Sequence, residues 1–342
     1  MAPIDADSDT VPSLPLGEKP TLKTIARMTG LAVPTVSRAL NDAPDIRAQT
    51  KVLVRKVADE IGYVPNRAGV RLRTGRTNVI SLVLAAESEV MNHNSKLIAA
   101  VAGEMRGTPF HLNITPFFRN DDVMAPVRYI VETGSADAII FNQTTPDDPR
   151  ISYLIERGFP FATHGRSQWD ALHAWADYDN GTFGRIAAKR LADRGRRNIL
   201  MLAPPMAQAY AQHMVAGARE TAAQTGTKLR FTGEISSDSC KDEVTETIAR
   251  MLAADPSIDG VICGSMMAAF GAVEAAEQRG YVIGDGFDVF AKEALPFLNL
   301  FRPGIIAISE DVTRAGKFLA KAAIARIADP TAPPLQDLEV PV

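Results

Sequence analysis

Long apolar runs, paired cysteines and clustered histidines are all missing from this chain of 342 residues. No apolar stretch approaches about 18 residues, so no membrane-spanning helix is expected, and the polar, acidic N-terminus does not read as a signal peptide. Cys240 and Cys263 give neither a disulfide framework nor zinc spacing, and both read as reduced residues of a cytoplasmic protein. The five histidines, His93, His111, His164, His173 and His213, lack metal-ligand spacing. No glycine-rich phosphate loop and no Gly-x-Ser-x-Gly elbow appears. These absences argue against an enzyme: no catalytic residue, metal site or cofactor is expected. His111, between Phe110 and Leu112, reads as a strand residue, and Phe117, Phe118, Met266 and Met267 read as core or cleft lining.

An excess of either charge is also lacking overall, since the net is only −3, but the charges are unevenly distributed. Residues 21–76 hold eleven Lys or Arg against four acids, whereas residues 1–20 hold one Lys, four acids and four prolines. The first twenty residues therefore read as a disordered tail. The basic segment has the concentrated positive charge that a phosphate-binding surface needs. Within it, Leu22, Ile25, Ala26 and Met28 mark one face of a short helix, Gly30 permits a turn, and Val33–Leu40 reads as a second helix with Pro34 in its first turn. Two short helices crossing at a glycine turn make a helix-turn-helix, with Ala26, Gly30 and Val36 suited to the crossing. A third helix is expected over 49–61 from Val54, Val57, Ala58 and Ile61, stopped by Gly62. After Tyr63-Val64-Pro65, Asn66 is placed to cap a short basic helix through Arg73, which is too short to be stable alone.

From residue 78 onward strand and helix patterns alternate. Strands are expected over 79–84, 110–115, 138–141, 199–203, 260–264 and 287–291, with helices over 95–106, 126–133, 242–254 and 267–280. Repeated βαβ units imply parallel sheets covered on both faces, and two such series imply two lobes with a ligand cleft at the carboxyl ends of the strands.

Three runs, Thr21-Leu22-Lys23-Thr24-Ile25-Ala26, Thr35-Val36-Ser37-Arg38-Ala39-Leu40-Asn41 and Gly62-Tyr63-Val64-Pro65-Asn66-Arg67, closely resemble the headpiece and hinge of the lactose-repressor/galactose-repressor family of bacterial regulators. Asp179-Asn180 with Gly184, Arg194–Ile199 and a last helix opened by Glu310-Asp311 extend the resemblance through nearly all the chain after the tail. It implies an α/β fold: an N-terminal helix-turn-helix headpiece plus a two-lobed periplasmic-binding-protein-like core of parallel sheets. The expected divisions are a tail over 1–20, a DNA-binding domain over 21–64, a hinge helix over 65–77 and a core over 78–342. Within the core, 78–177 with 309–329 form one lobe and 178–308 with 330–342 the other, the chain crossing near Asp177, Ser309 and Asp329.

The resemblance also assigns roles. Val33, Pro34 and Arg38 fall where side chains read base edges, Arg38 facing a guanine. Thr35, Ser37, Asn41 and Lys51 fall on phosphate contacts, Asn66 and Arg67 join the DNA-binding set, and Leu72 is the apolar wedge that enters the minor groove. Val33 and Pro34 carry no side-chain donor, which narrows direct readout, and Gly69 replaces a more usual alanine and loosens the hinge. At the effector site the family's usual sugar-binding residues are replaced by Met214, Ser265-Met266 and Lys292-Glu293. The candidate effector residues are Asn92, Asn142, Arg166, Trp169, His213, Ser265, Lys292 and Glu310. Lys292 either neutralises an acidic sugar derivative or other small anion, or pairs with Glu293 or Glu310 and leaves the ligand neutral. The whole reads as a cytoplasmic, nucleoid-associated homodimeric repressor that binds pseudo-palindromic operator DNA under control of a small effector. A solute-binding-protein-like sensor of a non-sugar ligand such as a nucleobase or other small anion is the alternative.

Overall fold

The computed structural model describes residues 19–342 except 66–68, 70, 72, 73, 87–90, 119, 120 and 234, and except the side chains of Met91 and Asn92. The chain divides into two compact units, Met1–Thr77 and Asn78–Val342.

The first unit includes the helices α1 over Leu22–Thr29, α2 over Val33–Leu40 and α3 over Ala48–Glu60. Thr21 opens α1 as a capping box: its Oγ1 accepts from Thr24 N and its N–H donates to Thr24 Oγ1, each at 3.2 Å. That exchange satisfies amides a helix start otherwise leaves unpaired. Gly30 closes α1 at φ +69°, a conformation that penalises any Cβ. Ile25, Ala26, Val36, Ala39, Val54, Val57 and Ala58 are buried together, so Ala26 and Val36 do sit where α1 and α2 cross. The expected tail lies outside the described residues apart from Lys19 and Pro20. So do Asn66, Arg67 and Leu72 of the expected hinge helix, within which Gly69, Arg71 and Thr74 are helical.

The second unit holds two six-stranded sheets, described in chain order. The first takes β1 (Val79–Ala85), β2 (His111–Phe117), β3 (Ala138–Asn142), β4 (Phe161–His164), β5 (Ala174–Tyr178) and β12 (Gln336–Glu339), all parallel in the order β12-β5-β4-β3-β1-β2. The unbroken apolar run of β1 is explained by burial on both faces. Ile80, Leu82 and Leu84 pack under α4 (Met91–Glu104) and α12 (Val312–Ala328), while Val83 and Ala85 turn to the other face, toward α5 (Met124–Thr133) and α6 (Pro149–Glu156). Edge strand β2 is mostly exposed, His111 included, and tolerates Pro116 because an edge needs fewer ladder donors.

The second sheet takes β6 (Asn198–Leu202), β7 (Lys228–Phe231), β8 (Gly260–Cys263), β10 (Gly286–Glu293) and β11 (Ile306–Ser309), in the parallel order β11-β10-β8-β6-β7, with β9 (Val282–Ile283) beside the start of β10. Its faces are covered by α7 (Asn180–Asp193) with α8 (Ala209–Thr225), and by α9 (Lys241–Ala254) with α10 (Met266–Glu277); α11 (Leu298–Phe301) is a single turn. Helices α7 and α8 approach so closely that a Cβ on Gly184 would overlap the Met214 carbonyl, and one on Gly217 the Gly181 carbonyl. The contact fixes where α7 begins.

The expected third crossing does not occur. After α12 the chain stays with the first sheet, where Gln336–Glu339 pairs in register with Trp175–Tyr178. Residues 330–342 therefore do not join the other lobe: β5 offers a free edge beside the end of α12, and β12 takes it. The two segments that do pass between sheets are β5 to α7 and β11 to α12. Both are fastened to Glu339: Asp179 N donates to its carbonyl at 2.8 Å, and Asp311 N donates to its carboxylate at 3.0 and 3.1 Å.

Candidate functional site

In the headpiece, Pro34, Arg38 and Asn41 are exposed, while Val33, Thr35, Ser37 and Lys51 are half-buried. Val33 packs on the headpiece core, so less of it is available to a base edge than its place at the helix start implies. Arg38 pairs with Asp45, Arg55 pairs with Asp42, and Lys51 Nζ donates to the Asp42 carbonyl at 3.1 Å. Asn41 Nδ2 turns back to the Ser37 carbonyl at 2.6 Å. Exposed ion pairs of this kind contribute about 0–1 kcal/mol, so exchanging them for a phosphate or a base edge costs little.

In the core, a cavity opens at the carboxyl ends of strands from both sheets. Asn142 ends β3, His164 ends β4, Asp177 lies in β5, Ser265 follows β8, Lys292 lies near the end of β10 and Glu310 follows β11; all line it, with His93 of α4, Asn180 of α7, Tyr210 of α8 and Asp238. Strand ends suit a binding site because each strand stops at a fixed height and the helix after it starts there. Ser265 caps α10 by accepting from Ala268 N at 3.2 Å, while its Oγ donates to the Ser237 carbonyl at 2.7 Å. Asp179 caps α7 through Thr182 N at 2.9 Å.

Glu310 is the centre of the arrangement. Its Oε2 lies 2.6 Å from Lys292 Nζ, and its Oε1 lies 3.2 Å from His164 Nε2 and 3.7 Å from His93 Nε2. Burial alone would raise this carboxyl, but the Lys292 ammonium and the two imidazoles outweigh it and hold Glu310 well below the usual carboxylate range. The two imidazoles stack, with centroids 5.0 Å apart and planes 18° from parallel. Burial lowers His93 despite the pull of Glu310. Lys292 Nζ also donates to Asn180 Oδ1 at 3.0 Å and stands 4.4 Å from the Tyr178 ring centroid. Glu293 takes no part in this pairing: it accepts from Phe297 N and Leu298 N at 3.0 Å and from Ser309 Oγ at 3.1 Å.

Of the effector residues expected from the sequence, Asn142, Ser265, Lys292 and Glu310 line the cavity. Arg166, Trp169 and His213 do not. Arg166 Nε donates to Asp177 at 2.7 Å and its guanidinium lies over Trp175, so its charge is spent beneath the cavity wall. Trp169 packs against the apolar cluster that holds Phe161, and His213 faces solvent on α8. Met214, in the slot of the family's arginine, is buried between α7 and α8. The side chain of Asn92 lies outside the described residues. Sequence reasoning missed His93, His164, Asn180, Tyr210 and Asp238. His164 was within reach, since it ends a buried strand in the same stretch that drew attention to Arg166, and Asn180 was too, since the resemblance singles it out beside Asp179; His93, Tyr210 and Asp238 carry no local signal.

Beneath Asn142 the polar order is dense. Its Nδ2 donates to Asn94 Oδ1 at 3.1 Å, and its own Oδ1 has no hydrogen-bond partner among the described residues. Asp177 accepts from Arg166 and from Tyr178 N, yet burial dominates and raises its carboxyl.

Residues 21–66 match the model of bacterial regulatory proteins of the lacI family, and residues 82–315 match that of periplasmic binding proteins and the sugar binding domain of the LacI family. The chain belongs to the LacI family. The transcriptional regulator AglR of Rhizobium meliloti is 30% identical over 89% of this chain and 86% of its own length. The regulator CelR of Thermobifida fusca is 26% identical over 93% of this chain and 95% of its own. Among solved structures, a CelR–cellobiose complex superposes with a TM-score of 0.68 at 21% identity, covering 95% of this chain and 98% of that one. A lac repressor dimer bound to operator and the anti-inducer ONPF superposes at 0.81 and 17% identity, covering 95% and 97%. As a LacI-family member the chain is a DNA-binding transcriptional regulator rather than an enzyme. Among the described residues no helix is long and apolar enough to cross a membrane.

Proposed function

We propose that this LacI-family regulator is an operator-binding repressor that acts as a homodimer and is controlled by a neutral, polyhydroxylated effector, a sugar, held in the core cavity. One observation carries the choice of ligand: Lys292, the residue that pointed toward an anion, is matched by Glu310 at 2.6 Å. With that charge taken up, the remaining polar lining offers acceptors, among them the carboxylate of Asp238 and the Asn142 Oδ1 that has no partner among the described residues. Buried acceptors favour ligands that bring hydroxyl donors, and carboxylates repel a second anion. The cellobiose bound to CelR and the sugar-binding description of the matching family model support the same class. The likeness to a lac repressor dimer bound to operator supports the dimer, and a two-fold dimer would read two half-sites of a pseudo-palindromic operator. In this reading the expected hinge segment over 65–77 is the bistable element through which the ligand acts on DNA.

A thermal-shift screen of neutral mono- and disaccharides against sugar acids, sugar phosphates and nucleobases tests the ligand class. Neutral sugars alone should raise the melting temperature of the full chain. Stabilisation only by the acids or phosphates, lost in Lys292→Ala, would restore the anion reading. Operator binding measured at several salt concentrations should fall steeply as salt rises, and a flat response would sink the DNA-binding assignment of the basic headpiece.

A further inference from the structure

We infer that His93, His164 and Glu310 form a binding site for a late first-row divalent cation of the zinc class at the floor of the cavity. The inference does not depend on the identity of the effector. The three residues arrive from separate places, α4, the end of β4 and the segment between β11 and α12, so only the folded core brings them together. Each offers one ligand atom, and these atoms all lie within 4.8 Å of one another.

The spacing separates this arrangement from an ordinary histidine–carboxylate contact. Metal bonds of about 2.0–2.2 Å to imidazole nitrogen and carboxylate oxygen, set tetrahedrally, leave ligand atoms roughly 3.4 Å apart. Both imidazoles direct the same nitrogen, Nε2, at the same oxygen, Glu310 Oε1, at 3.2 and 3.7 Å. The longer distance is beyond a hydrogen bond, so hydrogen bonding to Glu310 does not account for His93 being there. The stacked rings hold the two nitrogens side by side. Two imidazoles and one carboxylate favour zinc, cobalt or nickel over magnesium or calcium, which prefer oxygen ligands.

The other oxygen of Glu310 is held by Lys292 at 2.6 Å, the kind of outer contact that orients a ligating carboxylate. That ammonium also opposes a second positive charge nearby, so it should limit affinity as well as orient the ligand. Three protein ligands leave at least one position of a four-coordinate ion for water or a ligand hydroxyl, and all three residues line the cavity.

The test uses the full chain, stripped of metal by chelator and titrated with Zn²⁺ by calorimetry and with Co²⁺ by visible absorption, without sugar present. One Zn²⁺ per chain and an intense cobalt band of low-symmetry, four- or five-coordinate type are expected, with Mg²⁺ failing to compete. His164→Gln and His93→Gln should each weaken binding roughly tenfold or more, and Lys292→Met should tighten it, since the opposing charge is gone. Circular dichroism checks that each variant is folded. Absence of stoichiometric Zn²⁺ and Co²⁺ binding by the wild type overturns the site, as does binding that both histidine variants leave unchanged. Because no sugar is used, either result leaves the effector reading to its own experiment.

Discussion

Arg38 in the headpiece and Lys292 in the core are both cations held by a carboxylate, yet the two pairs have opposite consequences. Arg38 and Asp45 are 58% and 46% exposed, whereas Lys292 and Glu310 are 13% and 5% exposed. Water screens the first pair, so its partners exchange freely and the arginine is available to DNA. The second pair is withdrawn from water, so each partner depends on the other and the Lys292 ammonium is not free to take up an anionic ligand. The same two types of group thus make an exchangeable surface pair in one unit and a buried, mutually dependent pair in the other.

The contrast can be broken most forcefully at Glu310. Glu310→Ala leaves Lys292 buried without its carboxylate and should cost the core about 3–5 kcal/mol, read by urea or thermal unfolding. An unchanged core melting temperature would mean that the pair is as dispensable as a surface one. Next comes Asp288, fully buried, which accepts from Arg194 Nε at 2.9 Å and Arg196 Nε at 2.7 Å. Asp288→Asn should destabilise the core by about 1.5–3 kcal/mol at neutral pH. Burial would raise this carboxyl, but the two arginines outweigh burial and hold it below its ordinary value. Its contribution is therefore fully present above about pH 4, the unfolded value, and lost as pH falls through the lower folded value. The gap between wild type and Asp288→Asn should accordingly close in acid, and a gap that widens there would overturn the assignment.

Arg38→Ala sharpens the other side of the comparison. Operator affinity should fall by about 1–3 kcal/mol, with discrimination relaxed at one base pair, while core stability stays where it was. Fluorescence anisotropy with single-site operator variants reads both effects. The smallest change is expected from Thr21→Ala, which removes the capping box and should cost the headpiece about 1 kcal/mol, visible as faster amide exchange in α1 without any shift in the core.

The headpiece was readable because its signals are local: Thr21, Gly30 and Pro34 each act on backbone within a few residues of themselves. Long apolar strands such as β1 and β3 were readable for a similar reason, since burial on both faces leaves an unbroken run. Strands β7 and β12 were not. Lys228-Leu229-Arg230-Phe231 and Gln336-Asp337-Leu338-Glu339 are short, charged edge segments, and β12 is preceded by Pro333 and Pro334. What makes β12 a strand is the open edge of β5, far away in sequence. The cleft divides in the same way. Residues at strand ends, such as Asn142, Ser265 and Lys292, follow from strand boundaries. The choice of Arg166 failed because its pairing with Asp177 is a tertiary fact, and the meeting of His93, His164 and Glu310 has no sequence spacing to announce it.

The return of β12 to the first sheet also bears on how the core can bend. Asp179 and Asp311 stand on the two segments that pass between the sheets, and both amides rest on Glu339. The passages are thus journals turning in one bearing rather than two separate joints. A movement that pulls on one passage therefore also pulls on the residue that holds the other.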